Sequence, residues 1–266
     1  MDDTVDIQGL KIAYERVGGG PPIVLLHGYV GDGRATWCHQ IDALSDAFTV
    51  VAWDAPGIGR SSDPPESFRL SDYADCLAGF VEALGLERPH IVGLSFGGGL
   101  ALELYRRRPT MLASLVLAGA YAGWAGSLPP EVVQERLQQV LELTELPADR
   151  FVRAVLPSMF SDSVSPAVTE RFAANVADFH PAGLQVMARS FAEADLRDVL
   201  PHIDAPTLLL YGDRDVRAPL SVAEDLHAAI PASKLVILPG VGHVSSVEAP
   251  ERFTAEVRSF LRSVGV

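Results

Sequence analysis

With 266 residues and a hydrophobic share of 48%, the chain can bury a large core, either as one α/β domain with an insertion or as two modest domains. Its formal net charge of −13 disfavours polyanionic partners, so no nucleic acid and no membrane surface is expected, and a small molecule is left as the natural ligand. The opening Met1-Asp2-Asp3-Thr4-Val5-Asp6 is acidic and lacks the basic and apolar regions of a secretory leader, which predicts a cytoplasmic location.

In chain order, Lys11 to Glu15, ending at Gly18-Gly19-Gly20, predicts an antiparallel strand that turns into the next one through a glycine hairpin. Continuous apolar runs follow at Ile23 to Leu26, Val50 to Trp53, Ile91 to Leu94, Leu115 to Ala118, Thr207 to Leu210 and Leu235 to Leu238. Runs without polar alternation suit strands covered on both faces of a parallel sheet. Between them, Leu70 to Leu84 places Leu70, Tyr73, Leu77, Phe80, Val81 and Leu84 at helical spacing, with Gly85 as a stop. Such alternation predicts an α/β fold with a doubly wound, mostly parallel sheet. Cys38, in a loop-like stretch, and Cys76, in a helical pattern, have no CxxC spacing and read as free thiols. The uncharged stretch Met111 to Gly126 is too diluted by Ala, Gly and Ser for a membrane span and reads as a buried strand and its turn.

The alternation breaks once, where about ninety residues separate the strand near Val116 from the one at Leu208. Four helical patterns fill the gap: Glu131 to Leu146, Asp149 to Phe160, Pro166 to Phe179 and Ala182 to Leu196, punctuated by Pro147, Pro157, Pro166 and Pro181. They predict an all-helical lid over the carboxyl edge of the sheet, where open α/β sheets bind ligands. The domain division is thus a core of 1–121 and 197–266 and a lid of 122–196. Apolar lid residues such as Trp124, Phe151, Met159, Phe160, Phe172, Met187 and Phe191 could line a pocket; Trp124, Phe160 and Met187, with Val216 beyond the lid, are the expected substrate contacts.

Gly93-Leu94-Ser95-Phe96-Gly97 stands between a strand and a small-residue helix and reads as a serine nucleophile on a sharp elbow. The glycines clear space for a strained turn, and the N–H of Phe96 at the helix start can receive an oxyanion. A serine hydroxyl needs a histidine to take its proton and a carboxylate to orient that histidine. His243 follows the last strand, and Asp213 and Asp215 follow the one before it, in the order serine, acid, histidine. The alternative acid position, after the strand near Val116, holds Gly119-Ala120-Tyr121-Ala122-Gly123 and no carboxylate.

These motifs, together with His27-Gly28-Tyr29, Asp54 to Ser61, Gly212 to Asp215 and Gly242-His243 followed by Glu248-Ala249-Pro250, make the chain resemble the α/β-hydrolase fold family over nearly all of its length outside the lid. The resemblance implies Asp215 rather than Asp213 as the acid, the N–H of Tyr29 as the second oxyanion donor, and a structural role for His27. Glu248 reads as a cap on the final helix and Gly57-x-Gly59 as a tight turn. His39, His90, His180, His202 and His227 fit surface or helix-end positions, and neither metal nor cofactor is expected.

Serine at the elbow argues against family members that use aspartate, the epoxide hydrolases and haloalkane dehalogenases. Leu94 and Gly31-Asp32-Gly33 depart from the pattern of carbon–carbon hydrolases; the triplet Gly97-Gly98-Gly99 resembles that of cofactor-free perhydrolases but also suits close helix packing. The expected activity is hydrolysis of a carboxylic ester or lactone of a small, largely apolar substrate through an acyl-serine. Carbon–carbon hydrolysis, perhydrolysis and a ligand-sensing receptor that keeps the pocket are the alternatives.

Overall fold

A computed structural model describes residues 2–176 and 180–265 of the chain. Eight strands form one sheet in the order β1-β2-β4-β3-β5-β6-β7-β8: β1 (Asp2–Ile7), β2 (Leu10–Gly18), β3 (Pro22–Leu26), β4 (Thr49–Trp53), β5 (His90–Leu94), β6 (Ser114–Ala118), β7 (Thr207–Gly212) and β8 (Ser233–Leu238). The pairs β1–β2 and β2–β4 are antiparallel, and every other neighbouring pair is parallel. The apolar runs at Val50, Ile91, Leu115 and Leu208 lie in strands buried along their whole length, as helices on both faces require. The edges are charged instead, with Asp3 and Asp6 on β1 and Lys234 on β8, which discourages pairing with another sheet.

Two expectations fail at the amino-terminal end. The glycine segment is no hairpin, because β2 pairs with β1 and β4 rather than with β3. Gly18 (φ +84°) and Gly20 (φ +113°) instead let the chain run against the Ala47–Phe48 backbone, where added Cβ atoms would lie 2.3 Å from Phe48 O and 2.5 Å from Ala47 O. The acidic start forms β1, for which the sequence analysis assigned no element. Cys38 lies not in a loop but in helix α1 (Gly33–Leu44), whose first turn is capped by Asp32 Oδ1 accepting from Ala35 N at 2.6 Å.

Helix α2 (Leu70–Ala83) stops before Gly85, which adopts φ +62°, and α3 (Phe96–Arg107) follows β5 directly. Between β6 and β7 stand α4 (Pro130–Thr144), α5 (Ala148–Val155), α6 (Pro166–Asn175) and α7 (Pro181–Glu193). All four predicted patterns extend past the observed helix ends, the first by two residues, to Leu146. The second stops at Val155 and tightens into a single turn at Leu156–Ser158, where Pro157 has no N–H to continue the ladder. The third was predicted to Phe179, and its last three residues lie outside the described ones; the fourth ends at Glu193, short of Leu196. Helices α8 (Leu220–Ala229), α9 (Ser245–Glu248) and α10 (Pro250–Ser263) complete the core. Among the described residues no helix is long and apolar enough to cross a membrane.

The helical insertion docks through close backbone approaches. A Cβ on Gly57 would lie 2.6 Å from Gly183 Cα in α7, and one on Gly242 would lie 2.5 Å from Ser161 N. Its neck is closed by Trp124 N donating to Phe191 O at 3.0 Å and Leu196 N to Ala122 O at 2.9 Å.

Candidate active site

Ser95 sits between β5 and α3 with φ +53°, a left-handed backbone that a non-glycine residue adopts at a cost of about 1–3 kcal/mol. The surroundings enforce it: Ser95 N donates to Ala118 O at 2.8 Å, and its carbonyl accepts from Gly98 N at 3.0 Å and Gly99 N at 3.2 Å. A Cβ on Gly93 would stand 2.3 Å from Gly97 O, and one on Gly97 would stand 2.3 Å from Leu26 O. Packing also explains the rest of the glycine triplet, since Gly98 faces Ala120 and Gly99 faces the Phe191 ring with no room for a methyl group.

Asp215 and His243 meet on the same edge of the sheet. His243 Nδ1 donates to Asp215 Oδ2 at 2.7 Å, both side chains being almost wholly buried, while Asp215 Oδ1 accepts from the main-chain N–H groups of Arg217 and Ala218, each at 2.8 Å. The carboxylate is therefore fixed on both oxygens, and the Nδ1–H tautomer leaves Nε2 of His243 free to take a proton. Asp213 does something else: its Oδ1 accepts from Gly240 N at 2.6 Å and pins the turn between β8 and the histidine. At the alternative acid position a Cβ on Gly119 would come within 3.1 Å of the His243 ring, so the residue there must stay small.

The His27–Tyr29 segment runs beside the elbow, for a Cβ on Gly28 would lie 3.6 Å from Ser95 Cβ. Phe96 opens α3, where the first N–H groups have no partner inside the helix. His27 is buried and has both nitrogens engaged: Nδ1 donates to Gly28 O at 2.6 Å, and Nε2 accepts from Ala55 N at 2.9 Å. Burial pushes its pKa below the usual histidine value, so it stays neutral and shapes the loop.

Other expectations change. Glu248 caps no helix; its carboxylate accepts from Gly242 N at 2.9 Å, Ser161 N at 3.1 Å and the Ser161 hydroxyl, tying the insertion to the histidine loop. His90 is neither at the surface nor at a helix end: it begins β5, is buried, and its Nδ1 pairs with Ser114 Oγ at 2.7 Å. Of the expected substrate contacts, Phe160 and Val216 line a cavity of about 540 Å³ together with Pro157, Asp213, Asp215 and Gly240, and Val216 is 68% exposed. Trp124 instead packs on Phe191 at 5.9 Å between ring centroids, and Met187 is fully buried within α7.

Phe191 is the insertion residue that reaches the elbow, its ring 5.3 Å from that of Phe96. In the sequence it is one apolar lid residue among several, and nothing in its spacing sets it apart. Arg217, Arg136 and Ser158 belong to no sequence motif, so nothing in the chain's pattern marks them. Arg217 Nη1 donates to Ser158 Oγ at 2.9 Å, Arg136 Nη2 donates to Arg217 O at 2.9 Å, and the Arg217 guanidinium stands 6.0 Å from the Tyr29 ring centre.

Comparison with known proteins finds relatives of the whole chain. A family model described as the alpha/beta hydrolase fold matches residues 21–250. A thermophilic esterase from Thermogutta terrifontis superposes with a TM-score of 0.90 at 30% identity over 100% of both chains. An enol-lactonase from Burkholderia xenovorans gives a TM-score of 0.89 at 25% identity, over 98% of this chain and 100% of that one. The pimeloyl-[acyl-carrier protein] methyl ester esterase of Vibrio vulnificus is 31% identical, over 93% of this chain and 96% of its own length.

Proposed function

The chain belongs to the α/β-hydrolase fold family, and we propose that it is a serine hydrolase cleaving a carboxylic ester or lactone of a small, largely apolar molecule through an acyl-serine. The observation that carries this reading is the buried Asp215–His243 pair on the sheet edge that also holds Ser95 in strained backbone. Ser95 Oγ attacks the carbonyl carbon while His243 Nε2 takes its proton. The oxyanion forms beside the N–H groups of Phe96 and Tyr29, each worth roughly 3–4 kcal/mol in the transition state. On collapse, His243 returns the proton to the leaving alkoxide. Water, deprotonated by the same nitrogen, then releases the acid and regenerates Ser95.

Asp215 stabilises the imidazolium at each stage, and its burial strengthens that interaction. Segment 122–196 serves as the lid, with Phe191 placing it against the elbow and Phe160 against the acid loop. Similarity to an esterase and to an enol-lactonase supports both leaving-group types, which differ only in whether the released alkoxide stays tethered. The free thiols Cys38 and Cys76 fit a reducing, cytoplasmic setting.

A fluorophosphonate probe tests the reading. Labelling of the folded protein that disappears in Ser95→Ala is expected, and a folded wild-type protein that is not labelled would overturn it. A panel of aryl esters and lactones then assigns the preferred bond.

A further inference from the structure

The protein is acidic, and several of its arginines pair with carboxylates, among them Arg34 with Glu15, Arg107 with Asp75 and Arg197 with Asp195. Two half-buried arginines near the acid loop do not. Arg136 of α4 and Arg217, two residues beyond Asp215, have no carboxylate within 4.0 Å among the described residues. Asp215, the nearest acid in sequence to Arg217, is committed to His243 and to two main-chain N–H groups.

The two arginines are built into one cluster. Arg136 Nη1 donates to Tyr121 Oη at 3.0 Å and Nη2 to Arg217 O at 2.9 Å, while the Tyr121 hydroxyl donates to the same carbonyl. This fixes the Arg217 main chain and leaves its side chain reaching across to Ser158 of the insertion. Nη1 bonds Ser158 Oγ, and the remaining guanidinium N–H groups have no acceptor among the described residues, although the fork suits a carboxylate. Beside the guanidinium lies Tyr29, whose ring is buried and whose hydroxyl is a buried polar atom without a hydrogen-bond partner. Burial pushes that phenol up to about 12, so it stays protonated and can only gain by donating to an acceptor brought in with a ligand. The backbone of the same residue is the proposed oxyanion donor, so the orphan hydroxyl and the open guanidinium stand about one side-chain length from the reacting bond, within reach of a group carried elsewhere on the substrate.

We infer that Arg217 and Tyr29 form an anion subsite, and that the preferred substrate is an ester or lactone bearing one carboxylate group on an otherwise apolar frame. This rests on the hydrolase reading above. A cationic fork in a chain of net charge −13 also gives a reason for the device, since the field of the whole molecule repels an acidic substrate and a local cation offsets it.

The experiment compares kcat/KM for charged and neutral esters of equal length, with the carboxylate on the acyl side (monoethyl glutarate against ethyl valerate) or on the alcohol side (3-carboxypropyl acetate against butyl acetate). Wild-type protein is expected to prefer the charged member of one pair. Arg217→Gln should lower that charged-to-neutral ratio about ten- to a hundred-fold, Arg217→Lys less, and Tyr29→Phe about three- to ten-fold. No preference in either pair, or variants that slow both members equally and leave the ratio intact, would overturn the subsite. Fluorophosphonate labelling of Ser95 in each variant separates the cases: labelling without preference removes the subsite alone, and absence of labelling in the wild type removes the hydrolase reading with it.

Discussion

The carboxyl edge of the sheet and the helical insertion above it are held by different means. At the edge, main-chain hydrogen bonds fix the pieces, with Ser95 N on Ala118 O at 2.8 Å and Asp215 Oδ1 on two N–H groups at 2.8 Å, and glycine marks each place where a Cβ would strike backbone. The insertion, beyond its backbone approaches at Gly183 and Ser161, rests on rings and single side chains: Phe191 on Phe96 and Ser161 on Glu248. Its longest helix, α4, buries only Val140 and Thr144 fully. Backbone-determined positions tolerate one residue type and so leave a motif, whereas ring packing accepts many apolar residues of similar volume and leaves only composition.

The sharpest test of that contrast lies within the edge. Asp215→Asn is expected to lower kcat by about 10⁴-fold because His243 loses its orienting carboxylate, while Asp213→Asn, which only loosens the Gly240 turn, should cost less than about tenfold. Steady-state kinetics on one aryl ester decides, and the reverse ranking would replace the assigned acid.

Glycine substitutions compare the two regions directly. Gly97→Ala sets a methyl group 2.3 Å from the Leu26 carbonyl and should cost about 3 kcal/mol or more in urea unfolding. Gly99→Ala meets the edge of the Phe191 ring at the same distance, and a ring can move, so about 1–3 kcal/mol is expected, recovered in part by Phe191→Leu. Equal costs with no recovery would show the insertion to be seated as rigidly as the core.

Glu248→Ala removes the acceptor shared by Gly242 N, Ser161 N and the Ser161 hydroxyl, for an expected loss of about 2–3 kcal/mol. Faster hydrogen exchange at the Gly242 and Ser161 amides should accompany it, and unchanged protection at both would contradict a joint at this point.

The smallest effect is on pH. Burial lowers the native pKa values of His27 and His90, while the unfolded chain titrates near ~6.5. Below about pH 6.5 the unfolded state then binds more protons than the native one, so stability falls as pH drops toward the lowered native values and is flat above. His90→Asn should flatten the fall in urea midpoint between about pH 6.5 and 5.5, and an unaltered slope would exclude His90 as a source.

Much of the core is legible in the sequence. Continuous apolar runs gave six strands, and Gly93, Ser95 and Gly97 marked the elbow because the turn admits nothing larger at its flanks. What escaped followed from pairing and distance. The acidic β1 has no apolar run to announce it; α1 mixes His39, Gln40 and Cys38 with its buried Trp37, Ile41 and Leu44, and its periodicity is weak. Glu248 looked like a cap because Pro250 follows closely, yet its partners lie at Gly242 and Ser161, the latter far away in sequence.

By itself the sequence determined the six apolar strands, the helical insertion between two of them, the serine elbow and the residues able to serve it, since hydrophobic periodicity and the steric demands of a tight turn are local properties written residue by residue. Asp215 over Asp213 followed only from the family resemblance, and the tertiary structure alone set Asp215 against His243 and Asp213 against Gly240, laid the Phe191 ring on the elbow, and stood Arg217 beside the Tyr29 ring, whose hydroxyl has no partner. Those outcomes depend on which side chains from distant segments converge, and no local pattern encodes the distance between them.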